Sequence, residues 1–154
     1  LWELLDNGTI NFVASDHAPA PDFMKDTGSA WDDYAGIPGS GTLFPYLYSE
    51  GYRKRDIRLS TFLQIIAENS AKRYGIFNRK GALEEGKDAD IIFLDPSDEW
   101  TIKGEEFYSK GKITPFEDMT LQGRVQKTIV RGKIVYDRKE GIVQQPGYGN
   151  YIKR

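Results

Sequence analysis

The hydrophobic pattern changes period twice along the chain, and the changes divide it. Leu1 to Leu5 carries apolar residues at helical spacing, and Asn7-Gly8 supplies a stop of the helix C-cap kind. Ile10 to Ala14 then concentrates Ile, Phe and Val in a short run that predicts a buried strand. Residues 15 to 42 lose periodicity and gain Pro, Gly, Asp and Ser, which predicts a long loop that is either functional or disordered. Thr42 to Tyr52 predicts a helix with an apolar and aromatic face, Pro45 sitting near its start where proline is tolerated. Arg58 to Tyr74 predicts a second helix, capped by Ser60, facing inward through Leu59, Leu63, Ile66, Ser70 or Ala71, and Tyr74, and ended by Gly75.

Beyond about residue 80 the period becomes that of strands. Asp90 to Leu94 predicts a strand stopped by Asp95-Pro96. Val125 to Val130 and Lys133 to Tyr136, separated by Arg131-Gly132, predict a hairpin with a two-residue turn, although Arg is not a preferred residue there. The tail from Gln144 to Arg154 has no usable period. The pattern divides the chain into residues 1–79 and 80–154, with the boundary near Asn78 to Gly86. A helix, a tight turn and a buried strand is the rhythm of an α/β protein.

Composition narrows the field of functions. The 154 residues are 39% hydrophobic and 29% charged, enough apolar material for a packed core. A net charge of -2 from nearly balanced acids and bases gives no footprint for nucleic acid or a membrane surface. The short basic cluster Arg53-Lys54-Arg55 reads as solvated surface. No apolar run approaches the roughly 20 residues of a membrane helix. The absence of cysteine excludes disulfides and thiolate metal sites and leaves a reducing cytoplasm as the default compartment.

Candidate chemistry centres on Asp16-His17, at the C-terminal end of the predicted strand. In a parallel α/β barrel that end carries the active site. There an Asp can ligate a metal through one oxygen and move a proton with the other. The same dipeptide also suits a plain turn, with Asp16 capping backbone and His17 exposed. The glycines of Gly36-Ile37-Pro38-Gly39 allow backbone to approach a small ligand closely, and equally suit a connecting loop.

Ala14-Ser15-Asp16-His17-Ala18-Pro19 resembles the SDHAP/TDHAP signature of the cyclic amidohydrolases, the dihydroorotase, allantoinase and hydantoinase family. Further segments resemble that family in order. Leu1-Trp2-Glu3 and Gly8-Thr9-Ile10 resemble its lead-in, and Gly36-Ile37-Pro38-Gly39 its GIPG loop. Asn69 to Gly75 and Lys80-Gly81 with Gly86 to Ile91 follow, then Thr114-Pro115-Phe116 and Thr128 to Lys133. Two departures stand out: Ser70 replaces a usual proline, a local change, and Ser40-Gly41-Thr42 replaces the VET common after the loop in dihydroorotases, which bears on the substrate.

The resemblance implies the C-terminal fragment of a (β/α)8 metal-dependent hydrolase barrel plus part of its β-sandwich. It implies one or two zinc ions in the full-length enzyme. Asp16 would ligate metal and act as base and then acid in opening a ring amide. His17, Pro38, Gly39 and Asn69 would contact a cyclic amide substrate. Dihydroorotate is the leading expectation, with allantoin or hydantoin next and a non-catalytic scaffold as the remaining alternative. With a single histidine in the chain, Asp16 lacks the companions that a catalytic zinc needs, normally three protein ligands in all. This segment alone is therefore expected to be inactive and without zinc, and to self-associate or pair with an N-terminal part upstream of Leu1.

Overall fold

The computed structural model describes residues 1–153; Arg154, the last residue of the tail, lies outside the described residues. The architecture is mixed α/β: a helical portion followed by a four-stranded antiparallel sheet. Helix α1 spans Trp2–Asp6, and Gly8 leaves it with φ +80, the left-handed backbone its stop signal requires. The strand predicted over Ile10 to Ala14 does not form. Its residues have strand chemistry but no neighbouring strand, and a ladder needs a partner to exchange hydrogen bonds. The segment is fixed instead by side chains. Phe12 meets the Tyr74 ring edge-on at 6.3 Å, and Val13 packs against the core.

Helix α2 covers Ser40–Tyr46 and runs directly into a π-helical stretch, Leu47–Arg53. It starts two residues earlier than expected, so Pro45 lies well inside it rather than near its start. Proline cannot donate the rung its position calls for, and the wider π spacing begins within two residues of it. The second long helix is likewise composite, with α3 at Leu59–Leu63, a π stretch at Gln64–Glu68 and α4 at Asn69–Arg73. Ser60 does not cap it; Arg58 occupies the N-cap position without a side-chain hydrogen bond. The predicted inward face is corrected in part, Ala71 being buried and Ile66 packed on the core as expected. Leu59 and Leu63 are half-exposed, while Thr61, Phe62, Ile65 and Ala71 are buried. A 3.6-residue period does not carry through a π turn, so one stripe cannot describe the whole segment. Gly75 does end it, at φ +72.

The sheet is a meander, β1-β2-β3-β4, formed by Ile91–Thr101, Thr120–Val130, Lys133–Asp137 and Gly141–Ile142. Pro96 does not terminate β1. The ladder passes from Asp95↔Arg124 to Glu99↔Gln122, so residues 96–98 bulge opposite Gly123. A bulge leaves backbone unpaired, and a proline without an N–H fits there. The hairpin forms as expected, with Arg131 at φ +47 and Gly132 at φ +78. Arg131 tolerates that backbone because it is tied from three sides. Its N–H donates to Asp90 Oδ1 at 2.8 Å, its guanidinium reaches the Tyr148 carbonyl at 2.5 Å, and that guanidinium stacks 4.4 Å from the Tyr148 ring.

Asp90 belongs to a network that explains the Lys80…Asp88-Ala89-Asp90 pattern structurally. Lys80 pairs with both Asp88 (2.9 Å) and Asp90, while Arg79 also reaches Asp88. The Lys80 ammonium beside Asp88 holds that carboxyl below its ordinary value. Gly81, at φ +93, passes so close to α4 that an added Cβ would stand 2.7 Å from Ala71 Cβ.

The core joins the helical portion to the sheet. Leu47, Tyr48, Ile57 and Phe62 form its centre, with Trp2, Phe44, Tyr52 and Leu94 packed around them. The Tyr48 ring lies on Gly123, whose φ is +88, and Ser49 Oγ accepts the Gln122 N–H at 3.0 Å. Beneath them Glu50 is only 9% exposed in its side chain and pairs with Lys54 at 2.6 Å and Arg55 at 3.2 Å. Burial resists ionisation of Glu50, but the two cations prevail and keep its carboxyl below the ordinary 4.5.

Two outcomes follow. Gly123→Ala would set a Cβ 2.3 Å from Tyr48 Cε1 on left-handed backbone. It should lower the unfolding free energy by about 2 kcal/mol or more, read from urea midpoints. For Glu50 the folded carboxyl is the lower one, so its contribution is complete above the unfolded value near 4.5 and disappears as pH falls through the folded value. Urea midpoints taken from about pH 6 down to about pH 3 should therefore fall less steeply in Glu50→Gln than in the parent.

Candidate active site

Three backbone segments converge around Asp16. The first is residues 14–20. The second is the Gly36 to Ser40 loop, whose glycines let it lie directly on the first. A Cβ on Gly36 would stand 2.7 Å from Ala18 Cβ, and one on Gly39 would stand 2.5 Å from the Ser15 carbonyl oxygen. Between those contacts the Ala18 N–H donates to the Ile37 carbonyl at 3.0 Å. The third is residues 109–111, where Gly111 passes so near that a Cβ would be 2.7 Å from the Ala20 carbonyl oxygen.

Asp16 itself has φ +47, a left-handed backbone uncommon for a residue with a side chain. Its side chain is exposed and makes no hydrogen bond or ion pair with any described residue. The turn reading, in which Asp16 caps nearby backbone, is therefore not what the structure contains. His17 makes the bonds instead. Its Nδ1 accepts the N–H of Gly39 at 3.0 Å and of Ser40 at 3.1 Å. A ring nitrogen receiving two N–H groups carries no proton, so this network assigns the proton of the neutral ring to Nε2. Gly39 is also the N-cap of α2, and its carbonyl accepts from Thr42 N, Leu43 N and Thr42 Oγ1. His17 thus joins the Asp16 segment to the start of α2.

Two grooves flank this junction. The larger, about 630 Å³, has His17, Pro38 and Ser40 on one wall and Trp100, Arg124 and Tyr136 on the other. The smaller, about 230 Å³, lies between Ser15, Pro38 and Gly39 and the rings of Tyr46 and Phe116. Of the residues singled out from sequence, His17, Pro38 and Gly39 come together here. Asp16 stands beside them without lining either groove. Asn69 is elsewhere: it opens α4 and donates its amide to the Asn11 carbonyl at 2.8 Å, anchoring the approach to Asp16. Ser70, in the usual proline position, returns its hydroxyl to the Ala67 carbonyl at 2.9 Å.

Sequence reasoning missed Ser15, Ser40, Trp100 and Arg124. Ser15 and Ser40 stood inside the motif segments, whereas Trp100 and Arg124 had no local signal. It also missed how firmly the long loop is built. Lys25 donates to the carbonyls of Gly36 and of Tyr34 (3.1 Å), and Thr27 bonds Asp33 through both its N–H and its hydroxyl. The result is a compact Ω-type loop with closely spaced ends, which holds Trp31 97% exposed.

The donor set does not make a metal site within this segment. Among the described residues, no three His, Cys, Asp or Glu side chains gather where an ion could sit. Asp16 offers one free carboxylate, against the three protein ligands a catalytic zinc normally has. No helix of the described residues is long and apolar enough to cross a membrane.

The close approach at Gly39 carries its own test. Gly39→Ala should push the loop off Ser15 and open residues 16–41 to proteases. Limited proteolysis should show cleavage there at least about tenfold faster than in the parent.

Comparison with known proteins gives the same assignment from both sequence and shape. A model of the amidohydrolase family matches residues 1–135. An allantoinase from Bacillus licheniformis is 38% identical over 142 residues, covering 92% of this chain and 31% of that protein. The solved D-hydantoinase of a Bacillus sp. AR9 superposes with a TM-score of 0.93 at 36% identity, covering 99% of this chain and 34% of that one. The dihydropyrimidinase of Brevibacillus agri NCHU1002 does so with a TM-score of 0.93 at 35% identity, again covering 99% and 34%. The chain spans about a third of the length of these relatives. By motif, family match and shape, it belongs to the amidohydrolase family.

Proposed function

We propose that these residues form the C-terminal third of a metal-dependent cyclic amidohydrolase, contributing the end of a (β/α)8 barrel and part of the accompanying β-sandwich. The observation carrying this reading is the unpartnered, exposed carboxylate of Asp16, held on left-handed backbone beside His17 within the family match, near its start. A carboxylate with no internal partner remains available to a cation and a water supplied from outside the segment. The remaining ligands, and hence one or two zinc ions, would come from earlier strands. When bound, zinc would polarise the ring carbonyl and increase the acidity of the attacking water.

What this chain contributes is proton movement and positioning. Asp16 accepts the proton of water as it attacks the ring carbonyl, then returns it to the departing ring nitrogen, so the C–N bond opens without a free amide anion. His17, with Nδ1 occupied, presents only its Nε2–H as a donor to a polar substrate group. Pro38 and Gly39 place backbone beside that position, and Asn69 acts from further off through Asn11.

The substrate is a cyclic ureide of the allantoin, hydantoin or dihydropyrimidine kind. The names of the similar proteins support this over dihydroorotate, which the sequence alone had placed first. The departure at Ser40-Gly41-Thr42 from the dihydroorotase pattern points the same way.

The test uses the complete polypeptide that carries this segment. It should bind zinc and open one of allantoin, hydantoin or dihydrouracil faster than dihydroorotate. Asp16→Asn should lower kcat by on the order of a thousandfold. A metal-free protein inactive on all four rings would overturn the reading in favour of a non-catalytic scaffold.

A further inference from the structure

His17 has two edges, and the fold uses the inner one. Its Nδ1 receives the Gly39 and Ser40 amides at 3.0 and 3.1 Å. Ser15, on the other side of Asp16, has its carbonyl pressed against Gly39 at a distance that leaves no room for a Cβ. The residues before and after Asp16 are thus both held to the same short stretch of backbone, and Asp16 between them has φ +47. That region is uncommon for any residue with a side chain, although Asp tolerates it better than most, and local contacts hold a residue there. Asp16's own side chain makes no bond that could do so. The enforcement therefore comes from its neighbours. We infer that His17 is a positioning residue: through Nδ1 it clamps the Asp16 backbone to the start of α2, and so aims the Asp16 carboxylate, in addition to whatever its Nε2–H touches.

The geometry also explains why the Gly36-to-Ser40 loop must follow Asp16-His17 at a distance yet return to it. Its Gly39 N–H and Ser40 N–H are donors at the opening of α2, and nothing in α2 itself can accept them. An imidazole lone pair supplies that acceptor from 22 residues away. The helix start and the carboxylate's orientation therefore depend on one nitrogen atom.

This inference rests on the proposed activity for its kinetic consequence but not for its structural one, and the two edges of the ring can be separated by substitution. Asn places an amide oxygen near the position of Nδ1; Gln places its amide near that of Nε2. In the complete polypeptide, His17→Asn should keep the Gly39 and Ser40 amides protected from hydrogen exchange. It should keep kcat within about threefold while raising KM, because the outer donor is lost. His17→Gln and His17→Ala should lose that protection, with kcat falling on the order of a hundredfold as the carboxylate drifts from its angle. If kcat follows the outer edge instead, with Gln preserving it and Asn losing it, the clamp is overturned. Equal exchange at Gly39 and Ser40 in all four proteins would overturn it as well. Should the exchange pattern hold while no cyclic amide is hydrolysed by the parent, the clamp stands and the proposed activity falls.

Discussion

Everything at the candidate site depends on backbone lying directly on backbone, where Gly36 and Gly39 meet Ala18 and Ser15. Two chain segments at that separation exclude side chains from the contact. They leave the donors of one strip facing the acceptors of the other. Ala18 N–H to Ile37 carbonyl and Gly39 N–H to His17 Nδ1 are the resulting bonds. The arrangement gives Asp16 a fixed backbone without using its carboxylate as the anchor, and that leaves the carboxylate free for chemistry.

A second close approach links this site to the sheet. The Tyr48 ring rests on Gly123, Trp100 donates its indole N–H to the Gly123 carbonyl at 3.0 Å, and Ser49 accepts from Gln122. The bulge at residues 96–98 sits opposite the same glycine. One residue without a side chain thus lets the helix bearing Tyr48 reach β2, and keeps the far wall of the larger groove, with Trp100 and Arg124, facing His17.

Much of this was legible in sequence because the signals were local. The Arg131-Gly132 turn, the Gly8 and Gly75 stops and the β-branched runs from Val125 onward each depend on a few adjacent residues, and each formed. Ile10 to Ala14 misled because strand formation also needs a neighbour, which residue type cannot report. The inward face of Arg58 to Tyr74 misled because π turns break the period used to count it. At the site, His17, Pro38 and Gly39, which entered through motif resemblance, lie side by side. The role of Nδ1 was hidden, because a contact between residues 17 and 39 leaves no periodic trace. Asn69 entered by resemblance, and its bond runs to Asn11 rather than to either groove.

The built loop carries a further consequence through its indole. Of the three tryptophans, Trp2 stacks on Tyr46 under the Arg55 guanidinium and Trp100 is hydrogen-bonded against the sheet, whereas Trp31 faces water. A dissolved collisional quencher reaches Trp31 freely and the half-buried Trp2 and Trp100 less readily. The quenchable fraction of the protein's intrinsic fluorescence is therefore a direct optical signal from the segment that connects Asp16-His17 to Gly36-Gly39, with no label attached.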